Sequence, residues 1–318
     1  LNRELMRKVA DRCYLPTNEL IARLIERTQG RFRVAYSITG VALDQMEAYA
    51  PEVIESFQRL VATGAVELLA ETYHHSLASL HDPLEFREQV ALHERRLLAL
   101  FGVKPRVFCN TELIYDDRIG RELAELGYLG VLAEGADDIL GAARSPNRIY
   151  RAPGTPLALL LKNYRLSDDI AFRFSDKRWS HHPLSASTFA EWVQSAARQG
   201  DSVNLFMDYE TFGEHQPPES GIFAFLEALP DELLSDADFH FKTPSEVIAS
   251  CTPAEELSFP RTVSWADAER DVSAWQGNDM QRRALARAHE LGARIKRLEP
   301  EKPDLLAHWR RLTTSDHY

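Results

Sequence analysis

Short apolar runs alternate with longer amphipathic stretches between residues 17 and 250, and this alternation constrains the fold more than any other sequence feature. Short apolar runs separated by helices are typical of parallel strands, because such strands are buried on both faces. The predicted strands lie at residues 32–38, 65–69, 106–109, 129–133, 157–161, 202–207 and 239–241. Roughly six or seven such units predict an α/β fold, and specifically a TIM-like barrel that is complete or nearly so.

The pattern changes after Pro260. Strand signals stop there, and residues 264–298 and 304–312 have the periodicity of helices. We therefore expect two domains. A barrel over residues 1–258 would carry the chemistry, and a helical subdomain over residues 259–318 would pack on the barrel mouth.

The charge of the chain limits the partners that it can bind. The formal net charge is −11, which disfavours nucleic acid and anionic membranes and is compatible with a neutral sugar polymer. The sequence has no apolar run long enough to span a membrane. Its 3 cysteines are far apart and form no CxxC pair, which favours reduced thiols and a cytoplasmic location.

Polar clusters follow the predicted strands, at the positions where a βα barrel carries its active site. The clustered residues are Glu71, Tyr73, His74, His75, Asn110, Thr111, Glu112, Tyr115, Glu134, Asp137, Asp138, Asp208, Glu210, Glu214 and His215. Because the carboxyl ends of barrel strands share one face, we expect these side chains to lie near one another.

Asp208 is the candidate general acid. It follows an apolar run and lies among Phe206, Tyr209 and Phe212. Aromatic neighbours indicate partial desolvation, which raises the pKa of a carboxyl and makes it a proton donor near neutral pH. A solvated acidic loop is the alternative interpretation.

Glu112 is the candidate nucleophile, because it is a single acid in the apolar and hydrogen-bonding stretch 107–115. The alternative is a buried carboxylate that caps the following helix. Taken with Asp208, it provides the two carboxyl groups that glycoside hydrolysis requires. A separation of about 5–5.5 Å would indicate retention of anomeric configuration, and about 6.5–9.5 Å would indicate inversion.

Several segments resemble glycoside hydrolase family 57, and specifically its α-amylase-like members. They are CYLP (13–16), GAVELLAETYHHSL (64–77), NTELIY (110–115), NYRLSDDIAFRF (163–174), MDYETFGEH (207–215) and SWADAERDVSAWQGNDMQ (264–281). The resemblance runs along essentially the whole chain.

This resemblance implies an incomplete (β/α)7 TIM-like barrel with a C-terminal helical subdomain. It also implies a retaining α-amylase-like enzyme that acts on α-1,4-glucans such as starch, glycogen or maltooligosaccharides, with Glu112 as nucleophile and Asp208 as general acid/base. No cofactor and no metal are expected. Family members begin with a strand that carries a His-Gln-Pro motif, and this chain starts after that point. The HQP at residues 215–217 is a different element.

Other residues are expected to bind substrate. His74 or His75 would bind a sugar hydroxyl or orient a carboxylate, although a structural role remains open for each. Glu210 and His215 follow Asp208 directly. Asp168, together with Arg165, is expected at the cleft mouth.

Tryptophans provide further candidates. Trp179 is expected to stack on a glucose ring or to anchor its loop. Trp265, Asp267, Asp271 and Trp275 are expected on one helix face, where they would contact glucan or dock the subdomain.

The alternatives differ in the acceptor and in the class of protein. Water as acceptor gives an amylase, a 4-hydroxyl gives a 4-α-glucanotransferase, and a 6-hydroxyl gives a branching enzyme. A metal-dependent carbohydrate deacetylase would need an Asp and two His ligands, and the close histidine pairs are adjacent residues. A non-catalytic glucan-binding protein is the remaining alternative. The oligomeric state is open.

Overall fold

A computed structural model describes residues 1–198, 200–298 and 301–318. Its strands are β1 (Val34–Ser37), β2 (Val66–Leu69), β3 (Val107–Cys109), β4 (Gly130–Glu134), β5 (Tyr150–Arg151) and β6 (Ala158–Lys162). Strand β1 pairs with β2, and β3 pairs with β4 and β4 with β6, all in parallel. The short β5 runs antiparallel on the outer edge of β6. The α/β class expected from the sequence is thereby observed.

Backbone hydrogen bonds link these strands into a longer parallel series. Ala70 donates to Val107 O at 3.0 Å and accepts from Cys109 N at 2.8 Å, which joins β2 to β3. Beyond β6, Asn163 N donates to Asn204 O at 2.9 Å. The series therefore runs in chain order from β1 to the segment that precedes Asp208.

Two predicted strands are wrong. Residues 202–207 form only an isolated β-bridge at Asn204. Side chains make hydrogen bonds to the backbone here that a neighbouring strand would otherwise make. The side-chain amide of Asn204 donates to Leu161 O at 3.0 Å, and the Ser167 hydroxyl accepts from Phe206 N at 3.1 Å. Residues 239–241 form no strand, and their apolar character reflects packing such as the edge contact of Phe241 with Phe32.

Helices cover the strands. Their bounds are α1 (Asn2–Val9), α2 (Leu15–Arg27), α3 (Gly40–Tyr49), α4 (Pro51–Ala62), α5 (Ala78–His81), α6 (Pro83–Phe101), α7 (Asp117–Glu125), α8 (Asp137–Leu140), α9 (Tyr164–Asp168), α10 (Ala186–Ala197), α11 (Ile222–Leu234), α12 (Pro244–Ser250), α13 (Ser273–Gln276), α14 (Asp279–Leu298) and α15 (Pro303–Leu312). One-turn π-helical segments lie at Ala10–Tyr14 and Asp169–Arg173. Every residue of β6 is buried, which explains its uninterrupted apolar run.

The predicted helix 264–298 is wrong over its first part. Residues 264–272 are irregular, and Asp267 and Arg270 have positive φ angles of 50° and 49°. The backbone of this stretch bonds to the loop after β3, because Trp265 N donates to Glu112 O at 3.2 Å. The helix begins only at α13, so Trp265, Asp267, Asp271 and Trp275 do not share a helix face.

A buried carboxylate anchors the C-terminal helices. Glu85 on α6 accepts from Arg310 at 2.7 Å and lies 2.7 Å from Lys296 Nζ. Burial raises the pKa of Glu85, but the hydrogen bonds and charges of Arg310 and Lys296 outweigh it and hold that pKa below its usual value. This arrangement ties α14 and α15 to the first half of the chain.

Replacement of Glu85 by Gln is expected to destabilise the protein by about 3 kcal/mol, because it leaves two partly buried cations without the charge of their fully buried partner. Equilibrium denaturant unfolding measures the change. The Glu88→Gln control removes an exposed carboxylate from the same two cations and should cost less than about 1 kcal/mol. Since the folded pKa of Glu85 is lowered, its contribution is present above the unfolded pKa and lost as the pH falls through the folded pKa. Equal losses for both variants would contradict the anchoring role.

Candidate active site

A strained turn presents Glu112 directly after β3. Glu112 has φ +56° and Leu113 has φ +50°, in the left-handed region that ordinary residues avoid. The Asn110 amide holds the turn, since it donates to Ile114 O at 2.8 Å and to Ser79 Oγ at 3.0 Å. A strained residue persists only where its surroundings fix it, and such positions cluster at functional sites.

Three donors converge on the Glu112 carboxylate. Oε1 accepts from Ser315 Oγ at 3.0 Å and lies 3.3 Å from His75 Nε2, and Oε2 accepts from Trp265 Nε1 at 2.7 Å. Burial alone raises the pKa of Glu112, but these hydrogen bonds and the charge of His75 outweigh it and lower the pKa. Glu112 is therefore an ionised carboxylate at neutral pH.

His75 bridges two carboxylates. Its Nδ1 lies 3.4 Å from Glu71 Oε2, and its Nε2 contacts Glu112. Burial lowers the pKa of His75, but the bonds to Glu112 and Glu71 and their negative charges raise it to about 10. The ring is therefore an imidazolium that donates from both nitrogens. Ser37 Oγ donates to the other Glu71 oxygen at 3.0 Å and fixes the far end of this chain.

Asp208 lies within electrostatic range of Glu112. Burial raises the pKa of its carboxyl, and the charge of Glu210 adds to this effect, while His215 opposes it. The charge of Glu112 also raises this pKa, so the two carboxyls are close enough to interact. The residue is exposed to solvent, so desolvation is partial and a proton can be exchanged with bound groups.

The segment after Asp208 is held by the N-terminal helices. Cys13 Sγ donates to Tyr209 O at 3.2 Å, and the Tyr209 hydroxyl donates to Asn18 Oδ1 at 2.6 Å. The Tyr14 hydroxyl donates to Glu210. The CYLP stretch therefore positions the carboxyl-rich segment that begins at Asp208.

Trp265 connects Glu112 to a buried ion-pair cluster. Its ring lies 5.2 Å from that of Phe206 and 4.9 Å from Lys162 Nζ. The cluster consists of Lys162, Arg270, Glu134 and Asp168, with nitrogen–oxygen distances of 3.1–3.8 Å. Burial raises the pKa of Glu134, and the charges of Lys162 and Arg270 oppose this rise.

Asp168 and Arg165, both predicted to lie at the cleft mouth, have different ion-pair partners. Asp168 belongs to the ion-pair cluster, with 16% of its side chain exposed. Arg165 instead pairs with Asp137 at 3.0 Å, away from Asp168.

The other predicted binding residues have local partners. His74 is buried, and its pKa is lowered to about 4 by burial and nearby arginines, so its ring is neutral. Trp179 packs edge-on against Trp192 and His181. No contact in the described ranges joins either of them to Glu112.

The other three residues of the predicted helix face, Trp275, Asp271 and Asp267, lie in different surroundings. Trp275 is buried in the core that contains Leu285. Asp271 accepts at 2.8 Å from the backbone N of Ser273, the first residue of α13, and Asp267 is exposed. Within the part of the chain described, Trp265 alone of this group contacts a candidate catalytic carboxylate.

Two contributors, Ser315 and Lys162, were not predicted, and a third, Glu71, was predicted only as a member of the polar cluster. Ser315 is fully buried against Glu112, Lys162 lies above Trp265, and Glu71 pairs with His75. Glu71 stood in the polar cluster after its strand, which was the available signal. Lys162 ends an apolar run, and Ser315 lies in a polar stretch with no distinctive spacing.

No helix among the described residues is both long and apolar enough to cross a membrane. Within the same residues, no group of three or more His, Cys, Asp or Glu side chains is placed to hold a metal ion.

Comparisons with known proteins identify the family of the chain. A model of glycosyl hydrolase family 57 matches residues 1–260. A Methanocaldococcus jannaschii protein named "Putative alpha-amylase" is 47% identical over 299 residues, which are 93% of this chain and 63% of that protein. The chain thus spans less than two thirds of the length of that relative.

Solved structures share the fold. The branching enzyme TK1436 from Thermococcus kodakaraensis has a TM-score of 0.78 at 15% identity, over 99% of this chain and 80% of its own. The α-amylase AmyC from Thermotoga maritima has a TM-score of 0.71 at 14% identity, over 99% of this chain and 83% of its own. Since the family model matches most of the chain and the relative is nearly half identical, this chain belongs to glycosyl hydrolase family 57.

Proposed function

We propose that this protein is a retaining glycoside hydrolase that cleaves α-1,4-glucans by double displacement, with Glu112 as nucleophile and Asp208 as general acid/base. The observation that carries the proposal is that the pKa values of the two carboxyls are shifted in opposite directions. The pKa of Glu112 is lowered and that of Asp208 is raised, and the charge of Glu112 contributes to the second shift. Two nearby carboxyls with divergent pKa values mark an acid and a nucleophile.

In the first step, ionised Glu112 attacks the anomeric carbon. The bond from that carbon to the glycosidic oxygen breaks, and its electron pair goes to the leaving oxygen. Protonated Asp208 gives its proton to that oxygen, which leaves as a free hydroxyl. The product is a glycosyl ester of Glu112 and an ionised Asp208.

In the second step, Asp208 takes a proton from an acceptor hydroxyl, whose oxygen attacks the anomeric carbon. The ester bond breaks, and its electron pair returns to Glu112. Two inversions give net retention. The imidazolium of His75 stays paired with Glu71 throughout, so it stabilises the departing carboxylate without changing its own charge.

An α-glucan is the substrate class that fits the relatives. The named relative and AmyC are described as α-amylases, and TK1436 as a branching enzyme. We place substrate contacts at His75, Trp265, Glu210 and His215, which surround the two carboxyls. The residues that lie apart from them, His74, Asp168, Trp179, Asp267, Asp271 and Trp275, fit supporting roles better.

The fold is consistent with this placement. The parallel series from β1 to Asn204 fits an incomplete (β/α)7 barrel over residues 1–258. The helices that follow fit a subdomain over residues 259–318, and its loop 264–272 and residue 315 reach the strand ends. We propose a cytoplasmic enzyme that needs no cofactor.

Incubation with soluble starch and maltoheptaose tests the proposal. Proton NMR at early times is expected to show newly formed α-anomeric reducing ends before mutarotation. Initial β-anomers would exclude retention, and an unchanged substrate would exclude α-1,4-glucan hydrolysis. Oligosaccharides longer than maltoheptaose would identify transfer to a 4-hydroxyl, and new α-1,6 linkages would identify branching.

A further inference from the structure

The stretch after α15 returns to the loop that carries His75. Ser315 N donates to His75 O at 2.9 Å, and Thr314 Oγ1 donates to His74 O at 2.9 Å. Thr313 and Ser315 are almost completely buried. The stretch is therefore fixed in register with the loop, and its position sets that of the Ser315 hydroxyl.

The two oxygens of Glu112 differ in their hydrogen bonding. Oε1 has two donors, Ser315 and His75, while Oε2 has one, the Trp265 indole. A carboxylate oxygen has two lone pairs in the carboxylate plane. Oε1 is thus fully engaged, and Oε2 keeps one lone pair for bond formation.

We infer that Ser315 is a positioning residue that selects Oε2 as the attacking atom and holds Oε1 as the carbonyl oxygen of the glycosyl ester. This inference rests on the proposed role of Glu112 as nucleophile. When the bond between Oε2 and the anomeric carbon forms, the carboxylate charge is neutralised, and the Ser315 bond to Oε1 weakens. When that bond breaks, charge returns to the carboxylate and the bond strengthens.

The hydroxyl therefore assists departure of Glu112 more than its attack. A hydrogen bond that is stronger in the transition state than in the ground state accelerates a step. During deglycosylation the carboxylate becomes charged, so a donor on Oε1 lowers that barrier. During glycosylation the carboxylate loses charge, and the same donor contributes mainly by orientation.

Ser315→Ala tests this inference with a nitrophenyl α-maltotrioside, whose good leaving group makes deglycosylation rate-limiting. We expect kcat to fall by roughly 10- to 100-fold, the size of a hydrogen bond to a charged group. KM should fall with it, because the glycosyl-enzyme accumulates, so kcat/KM changes much less. A burst of nitrophenol and a mass increase of the protein would report this intermediate.

The pH profile gives a second readout. Ser315 is one of the donors that lower the pKa of Glu112, so the acid limb of kcat/KM should shift to higher pH in Ser315→Ala. Thr313→Val is the matched control, because its buried hydroxyl bonds only to Arg310 O in the described structure. This control should leave kinetics and pH profile unchanged.

The outcomes separate the inference from the proposed function. If the wild-type enzyme releases no nitrophenol, the proposed function itself is wrong. An active wild type with inactive Glu112→Gln and a Ser315→Ala variant of unchanged kcat and pH profile overturns the inference alone. A parallel loss of kcat and kcat/KM in Ser315→Ala, without a burst, shows general loosening of the site and also overturns it.

Discussion

Glu112→Gln is expected to reduce kcat on starch by roughly 10⁴-fold or more, because a neutral amide cannot form the glycosyl ester. Gln has nearly the same shape as Glu, so the loop after β3 should keep its fold. The amide also places an NH₂ group or a neutral oxygen before the His75 imidazolium, where a carboxylate now lies. Initial rates of reducing-end release measure the effect.

Glu67→Gln is the matched control for this substitution. Glu67 is a partly buried strand carboxylate that accepts from Ser245 N at 2.9 Å and from the Ser245 hydroxyl, and it has no proposed role in the site. Its activity should remain within about twofold of wild type. More than about 1% of wild-type activity in Glu112→Gln would show that another group is the nucleophile.

Asp208→Asn is expected to separate substrates by leaving group. Cleavage of starch should fall by roughly 10²–10⁴-fold, because the leaving oxygen needs a proton. A nitrophenyl α-maltotrioside should still form the glycosyl-enzyme, since nitrophenolate leaves without protonation. Azide, which needs no general base, should then release α-maltotriosyl azide. Equal losses on both substrates, with no azide product, would contradict the acid/base assignment.

The pH dependence of kcat/KM should follow from the same two carboxyls. Activity requires ionised Glu112, whose pKa is lowered, so the acid limb should lie below the ordinary glutamate range. It also requires protonated Asp208, whose pKa is raised, so the basic limb should lie above the ordinary aspartate range. In Asp208→Asn the basic limb should disappear with the nitrophenyl substrate, while the acid limb remains.

Much of the fold follows from local signals in the chain. Strands β2, β3, β4 and β6 begin and end within one residue of their predicted positions, because parallel strands are buried on both faces and appear as apolar runs. Residues 202–207 are also a mostly apolar run, but they do not form a strand. An apolar run indicates that a segment is buried. It does not show whether the backbone N–H groups bond to a neighbouring strand or to a side chain such as that of Ser167.

The site was predictable where it depends on strand ends. Glu112 lies directly after β3, as predicted, and its charge acts on the Asp208 carboxyl, while His75 contacts Glu112. The helix predicted to begin at residue 264 failed, since the bonds between Trp265 and Glu112 override local helical preference. The role of Ser315 could not be predicted from the sequence, because one hydroxyl among three consecutive ones has no local feature that identifies its distant partner.

The distance along the chain between Glu112 and Ser315 has a consequence for biosynthesis. They are 203 residues apart, so a ribosome adding about 5–20 residues per second needs roughly 10–40 s to pass from one to the other. During that interval the segment that carries Glu112 has been synthesised, while Oε1 still lacks one donor. The hydrogen bonding of the Glu112 carboxylate is therefore completed only after α15 and the residues that follow it have been synthesised and have docked.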